Sequence, residues 1–259
     1  MSNLNNILVL GATGQYMHVS SILSIKIVEC QAHGIEGATG LIFIKAALQD
    51  SRRPHLTLYV RNPSKVPHEY TTNDRITVVQ GSLDDVASLT KAMRNVTSVI
   101  SLLGAYITLS NFLTRSTATP IADNFPTIFT AMRANGVKRI MALSSVGGFQ
   151  RPGDYVPYGR YWLFTYVAPK VVVPGGAAEM RRIGEVVAGS EGLEWTVFRI
   201  PHLNDGDAEG ALPVEVRETF DEDYKGGLEL SRMSLVKWVL DELEEGKWVR
   251  KTPVVGNPW

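Results

Sequence analysis

The chain has 259 residues, with 26 Lys and Arg balanced by 26 Asp and Glu, so no net field recruits nucleic acid or anionic lipid. A single cysteine, Cys30, excludes an internal disulfide and any multi-cysteine metal site. No apolar run of about twenty residues is present to span a bilayer, and Met-Ser-Asn-Leu-Asn-Asn at the N-terminus lacks a basic signal-like region, so the expected compartment is the cytoplasm.

Ile7-Leu-Val-Leu10 is an unbroken aliphatic run, the pattern of a central parallel strand buried on both faces. Ile42 to Gln49 reads as the first helix, and His55 to Val60 as the second strand, ending in Arg61-Asn-Pro-Ser-Lys65. Ile76 to Val79 is a third strand. Asp84 to Arg94 is helical, with Val86, Leu89 and Met93 on one face. Ser98 to Leu103 is a fourth strand that breaks at Gly104, and Pro120 to Asn135 is a long helix stopped by Gly136. Lys138 to Leu143 is a fifth strand opening into Ser144-Ser-Val-Gly-Gly148. From Phe149 to Pro174 the chain is aromatic-rich and punctuated by proline, as functional loops are. A helix over Gly176–Ala188 and a strand over Trp195–Ile200 follow. Asp205 to Gly227 reads as irregular, Ser231 to Glu244 as the last helix, and Thr252 to Gly256 as a short edge strand.

Strand and helix alternate with short turns. The implied fold is α/β: a Rossmann-like, doubly wound parallel sheet with helices on both faces, in a single domain spanning 1–259. Right-handed crossovers place a ligand at the carboxyl ends of the strands, near the first one. Residues 149–174 and 204–228 are then the substrate-side loops.

The turn after the first strand, Gly11-Ala-Thr-Gly14, recurs as Gly37-Ala-Thr-Gly40 directly before a helix. Removing Gln15 to Gly37 would leave Gly11-Ala-Thr-Gly14-Ala38-Thr39-Gly40, a continuous G-x-x-G-x-x-G motif, so residues 15–37 read as an insertion in a phosphate-binding loop. Glycines there permit a tight turn, approach of backbone to a pyrophosphate and close helix packing. Gly11, Thr13, Gly14, Thr39 and Gly40 are the expected dinucleotide contacts; two unrelated glycine turns are the alternative. The insertion carries Ile22, Leu23, Ile25, Ile27 and Val28, and is either translated non-coding sequence or a structured cover over the cofactor. Arg61 stands where a carboxylate would bind the adenosine ribose of NAD, which favours NADP, with NAD the alternative. Asn62, Ser64 and Lys65 could add donors, or the whole turn is a solvated basic one.

These segments, with Ile100 to Gly104, Gly136 to Ile140, Leu143 to Ser145, Glu185 to Trp195 and Arg199-Ile-Pro-His-Leu203, resemble the atypical short-chain dehydrogenase/reductase family with an NmrA-like or NAD(P)H-binding domain. Within it the chain is most similar to the biliverdin reductase B (flavin reductase) type. The resemblance implies that Leu103 and Gly104 lie beneath the nicotinamide ribose, that Ser144 and Ser145 end the fifth strand at the catalytic position, and that Pro201 packs near the nicotinamide amide. It also places the tyrosine and lysine positions of ordinary short-chain enzymes at Ala177 and Arg181, so that dyad is missing. The Tyr166–Lys170 spacing does not replace it, because Pro169 interrupts any helix presenting both. In the biliverdin reductase B type a serine and the histidine of a Pro-His pair line the site, and the matching residues are Ser145 and His202.

The leading expectation is an NADPH-dependent reductase of a small conjugated or aromatic carbonyl, quinone or flavin-like metabolite, with Ser145 orienting and His202 supplying a proton. Tyr155, Tyr158, Tyr161, Trp162, Phe164 and Tyr166 would wall a planar substrate, cover the core or form a dimer contact, and Arg151, Arg160 and Lys170 would suit an anionic group. The alternative is a non-catalytic NAD(P) sensor of the NmrA type. A monomer or homodimer acting on a small molecule, without metal, is expected in either case.

Overall fold

The computed structural model describes residues 5–11, 38–104, 115–154, 163, 167, 170–171, 174–205, 210–221 and 223–258. In chain order the elements are β1 (Asn6–Leu10), α1 (Ala38–Gln49), β2 (His55–Val60), α2 (His68–Thr71), β3 (Ile76–Gln80), α3 (Val86–Ala92), β4 (Ser98–Ser101), α4 (Phe125–Ala134), β5 (Arg139–Ser145), α5 (Pro174–Ala188), β6 (Glu194–Ile200), β7 (His202–Asn204), β8 (Glu215–Arg217), β9 (Glu229–Ser231), α6 (Arg232–Glu245) and β10 (Val254–Gly256). The main sheet runs β3-β2-β1-β4-β5-β6-β10-β8. Its strands are parallel except β8, which pairs antiparallel with β10.

The aliphatic run of β1 explains its central place. Leu8 lies opposite Thr57 of β2 and opposite Val99 of β4. Successive side chains of a strand point to opposite faces. Ile7 and Val9 accordingly pack with Phe43 and Ile44 of α1 and Leu235 and Val239 of α6. Leu8 and Leu10 pack with Leu89 of α3, Phe125 and Ile128 of α4 and Ile183 of α5. The four aliphatic side chains of β1 are essentially inaccessible, and each contributes about 1.5–3 kcal/mol of burial. The chain is therefore doubly wound, with helices on both faces of one mostly parallel sheet.

Helix ends follow local chemistry. Asp85 caps α3 by accepting from the Ser88 N–H at 2.9 Å, and Gly246 ends α6 at φ +62°. The long helix expected over Pro120–Asn135 is instead a 3-10 turn, Ala122–Asn124, followed by α4. Pro126 has no N–H to give to a preceding turn, and the helix begins around it. Two other expectations change together. The stretch read as irregular, Asp205–Gly227, contains β8, and β8 covers the far side of β10. The C-terminal strand, expected at an edge, is thus flanked by β6 and β8, with Val254 and Val255 fully buried. A separate ladder joins β7 to β9 in parallel, His202 opposite Glu229 and Asn204 opposite Ser231.

Candidate functional site

Parallel strands end at one edge, so β1, β2, β4, β5 and β6 deliver Gly11, Arg61, Leu102–Gly104, Ser145 and Pro201–His202 to the same side of the sheet. The order of strands reverses between β1 and β4, and the crevice at such a switch point is where α/β sheets bind ligands. Gly11 sits in that crevice at φ +85°, where a Cβ would stand 3.0 Å from both the Leu102 carbonyl carbon and the Leu103 nitrogen. The Leu102 N–H donates to the Leu10 carbonyl at 3.0 Å, so the two chain ends are tied together just before they diverge. Only glycine fits that approach. Leu103 and Gly104 are buried beside it.

α1 ends at Gln49, close before the start of β2, so its N-terminus lies at the carboxyl edge with Gly11. Thr39 and Gly40 are buried in its first turn. Thr13, Gly14 and residues 15–37 lie outside the described residues, as do Tyr155, Tyr158, Arg160, Tyr161, Trp162, Phe164 and Tyr166. At the end of β2, Arg61 is exposed and its carbonyl accepts from Gln80 Nε2 at 3.2 Å. Asn62 and Ser64 are turned on each other: Asn62 Oδ1 accepts from the Ser64 N–H at 3.1 Å and the Ser64 hydroxyl at 2.7 Å. They cap the turn that presents Arg61 and Lys65, and the Ser64 hydroxyl proton is already committed.

The two serines of β5 do different things. Ser144 is completely buried and its hydroxyl donates to the Met180 carbonyl at 2.8 Å, fastening β5 to α5. Ser145 is half-buried and its Oγ accepts from the Gly148 N–H at 3.1 Å, which leaves the hydroxyl hydrogen available to another acceptor among the described residues. Gly148 is forced by the same packing: a Cβ there would meet Met180 Cβ at 2.6 Å and Ser145 Oγ at 2.8 Å. The Ala177 carbonyl would be 3.2 Å from that Cβ, so the residue aligned with the missing tyrosine does lie beside Ser145. Arg181, aligned with the missing lysine, is 64% exposed and faces Glu185 at 3.8 Å. Pro201 is partly buried, and His202 is exposed at the start of β7.

The largest polar feature near this edge escaped the sequence reading. Arg199, inside the apolar strand β6, is fully buried and ion-paired with Asp154, itself 2% exposed. Its Nε donates to the Thr252 carbonyl at 2.8 Å, Nη2 to the Glu218 carbonyl at 2.7 Å and Nη1 to the Phe149 carbonyl at 3.4 Å. Asp154 also accepts from the Phe220 N–H at 2.9 Å. One guanidinium therefore fixes the start of the 149–174 segment, the middle of the 204–228 segment just after β8, and the approach to β10. A charge inside the apolar run Trp195–Ile200 was the available signal. Further along α5, Glu179 is buried and accepts from the Ala122 N–H at 2.7 Å and the Ile121 N–H at 3.4 Å. Burial raises its pKa, the two N–H groups oppose the rise, and Asp123 adds to it.

Among the described residues no group of His, Cys, Asp and Glu is placed to hold a metal ion, and no helix is long and apolar enough to cross a membrane. The groups that are present suit a dinucleotide: a glycine whose missing Cβ opens the β1–β4 crevice, a helix N-terminus at the same edge and a basic turn at the adjacent strand end.

Comparison with known proteins agrees. No curated protein sequence matches the chain. Among solved structures, a short-chain dehydrogenase/reductase from Veillonella parvula in complex with NADP superposes with a TM-score of 0.67 at 21% identity, over 98% of this chain and 95% of its own. The ethylated form of a Veillonella parvula short-chain dehydrogenase/reductase gives a TM-score of 0.69 at 20% identity, over 100% and 95%. ChuY, an anaerobillin reductase from Escherichia coli O157:H7, gives 0.64 at 14% identity, over 98% of both chains. Residues 34–246 match a family model described as NAD(P)H-binding, a span that includes the second glycine turn and leaves β1 outside. By that match, over most of its length, the chain belongs to the NAD(P)H-binding family.

Proposed function

We propose that the protein is an NADPH-dependent reductase of a small conjugated or aromatic carbonyl, quinone or flavin-like acceptor. What supports this reading is that β5 ends at Ser145 and β6 runs into Pro201–His202 at the same carboxyl edge as Gly11. Gly11, Thr39 and Gly40, with Thr13 and Gly14 of the same motif, would hold the pyrophosphate against the N-terminus of α1. Arg61 would pair with a 2′-phosphate, which favours NADP over NAD. Leu103, Gly104, the end of β5 at Ser144 and Pro201 would bound the nicotinamide side, the Ser144 hydroxyl being held by Met180. When bound, the reduced cofactor supplies a hydride to a flat acceptor stacked on it.

The protein's own part is positioning and proton supply. Ser145 Oγ takes its hydrogen bond from Gly148, so its hydroxyl hydrogen is left to donate to an acceptor oxygen. As that oxygen gains the electron pair of the reduced carbonyl, the His202 imidazolium gives it a proton and becomes neutral; imidazole exchanges protons near neutral pH.

A second reading, a non-catalytic dinucleotide sensor, is favoured by Ala177 beside Ser145 and by Arg181 facing Glu185. NADPH and NADH oxidation, followed by near-ultraviolet absorbance against panels of quinones, flavins and conjugated carbonyls, separates the two. The reductase reading expects turnover with NADPH preferred, lowered about a hundredfold by His202→Ala. Cofactor binding without turnover on any acceptor would establish the sensor instead.

A further inference from the structure

A guanidinium keeps its charge when buried, so a buried arginine needs acceptors around its whole fork. Among the described residues Arg139, Arg199 and Arg232 are buried. Arg199 spends its donors on Asp154 and backbone carbonyls. Arg139 spends its terminal nitrogens on Glu242, the Glu194 carbonyl and the Thr196 hydroxyl. Arg232 is different. Its side chain is 6% exposed, yet among the described residues its one partner is Asp205, with Nη1 2.6 Å from Oδ1; its Nε, like that of Arg139, is buried without an acceptor. Asp205 is 68% exposed, just past the end of β7.

The surroundings make a purely structural pair hard to justify. Arg232 opens α6 directly after its cap Ser231, where the helix dipole already presents positive potential and disfavours a cation. Both sources of field favour an anion. The β7–β9 register pairs His202 with Glu229 and Asn204 with Ser231, so the next step along both strands reaches Asp205 and Arg232. That step lies roughly 10 Å from His202, at about 3.3 Å per residue. Nearer His202, the Glu229 carboxylate accepts from Asn204 Nδ2 at 2.6 Å and repels anions. A negative ligand group is thus directed to the Arg232 end.

The geometry points to Arg232 as an oxyanion-binding residue at the substrate side of this edge, with Asp205 as a displaceable counter-ion. A ligand carboxylate takes the place of Asp205 on the guanidinium. This rests on the reductase reading and narrows its acceptor to one bearing a carboxylate roughly 10 Å from the reducible carbonyl. A cofactor phosphate has the same chemistry and reaches the same edge.

The test titrates naphthoate, its neutral counterpart naphthamide, and NADPH by calorimetry into wild type, Arg232→Gln and Asp205→Asn. Naphthoate should bind wild type in preference to the amide, lose about tenfold in Arg232→Gln and gain several-fold in Asp205→Asn, with NADPH unchanged. The Asp205 substitution is at an exposed site, so the gain can be read even if Arg232→Gln fails to fold. Loss of NADPH affinity in Arg232→Gln, with naphthoate unaffected, keeps the oxyanion site and assigns it to the cofactor phosphate. If acid and amide bind wild type equally and NADPH is indifferent to both substitutions, the assignment is overturned. Every readout is binding, so a protein that turns over no acceptor would lose the reductase reading and still answer this question.

Discussion

A methyl group on Gly11 would need a left-handed backbone and would stand 3.0 Å from two backbone atoms of β4's extension. The backbone alone costs an L-residue about 1–2 kcal/mol, and the contact can be relieved only by parting β1 from Leu102–Leu103. Gly11→Ala should therefore lower the melting temperature and weaken NADPH further than that loss explains, because the crevice itself changes shape; denaturation and NADPH titration check both, and an unchanged affinity would remove Gly11 from the site. Glu179 gives a pH test. Burial holds its pKa above the unfolded value, so the stability tied to its protonation is full below the unfolded pKa and is lost as pH rises through the folded one. Glu179→Gln removes the titration while keeping an acceptor for the Ala122 N–H. The melting temperature of the variant minus that of wild type should become more positive from pH 4 to pH 8, both about the range over which a raised carboxylate titrates. A difference that does not move with pH would mean the carboxylate is not desolvated as described.

At the scale of elements, the parallel order was readable because the core strands are short, mostly apolar runs and some helices carry a glycine stop, Gly136 after α4 and Gly246 after α6. What could not be read were pieces held by partners distant in the chain. β7, β8 and β9 have three residues each, too few for any period, and exist because another segment supplies their hydrogen bonds. The candidate site divides the same way. Arg61 was read from its place at the end of β2, and Ser145 and His202 from the family resemblance, whereas the direction of the Ser144 hydroxyl depends on a carbonyl of α5, and the role of Arg199 depends on Asp154 in another loop. That latch makes a prediction at this scale. Asp154→Ala leaves a fully buried guanidinium with carbonyl partners and no counter-charge, at a cost of about 3–5 kcal/mol. Urea denaturation should reveal the loss. Cleavage by a protease should rise first near residues 149–154 and 218–220, the segments Arg199 ties; uniform destabilisation without that local pattern would refute the latch.

For the whole molecule the open variable is the β1–α1 connection, which begins at Gly11 and ends where α1 starts at Ala38. Connections in βα units usually take about 2–6 residues, and this one carries residues 15–37 in addition. The fold tolerates such a loop because closure entropy grows slowly, about 0.6 kcal/mol for each doubling of length. A phosphate site is less forgiving, since it needs the glycine turn and the helix N-terminus to reach one ligand together. Deleting Gln15–Gly37 joins Gly14 to Ala38 and restores one continuous glycine motif running into α1. The deletion should change unfolding stability by no more than about 2 kcal/mol, while NADPH affinity rises about tenfold or more because Gly11, Gly14 and the α1 N-terminus then belong to one continuous turn. Titrating NADPH into both proteins decides it. Equal affinities would mean that the long connection builds a phosphate site of its own, and that the second Gly-Ala-Thr-Gly is part of that site and not the displaced half of one motif.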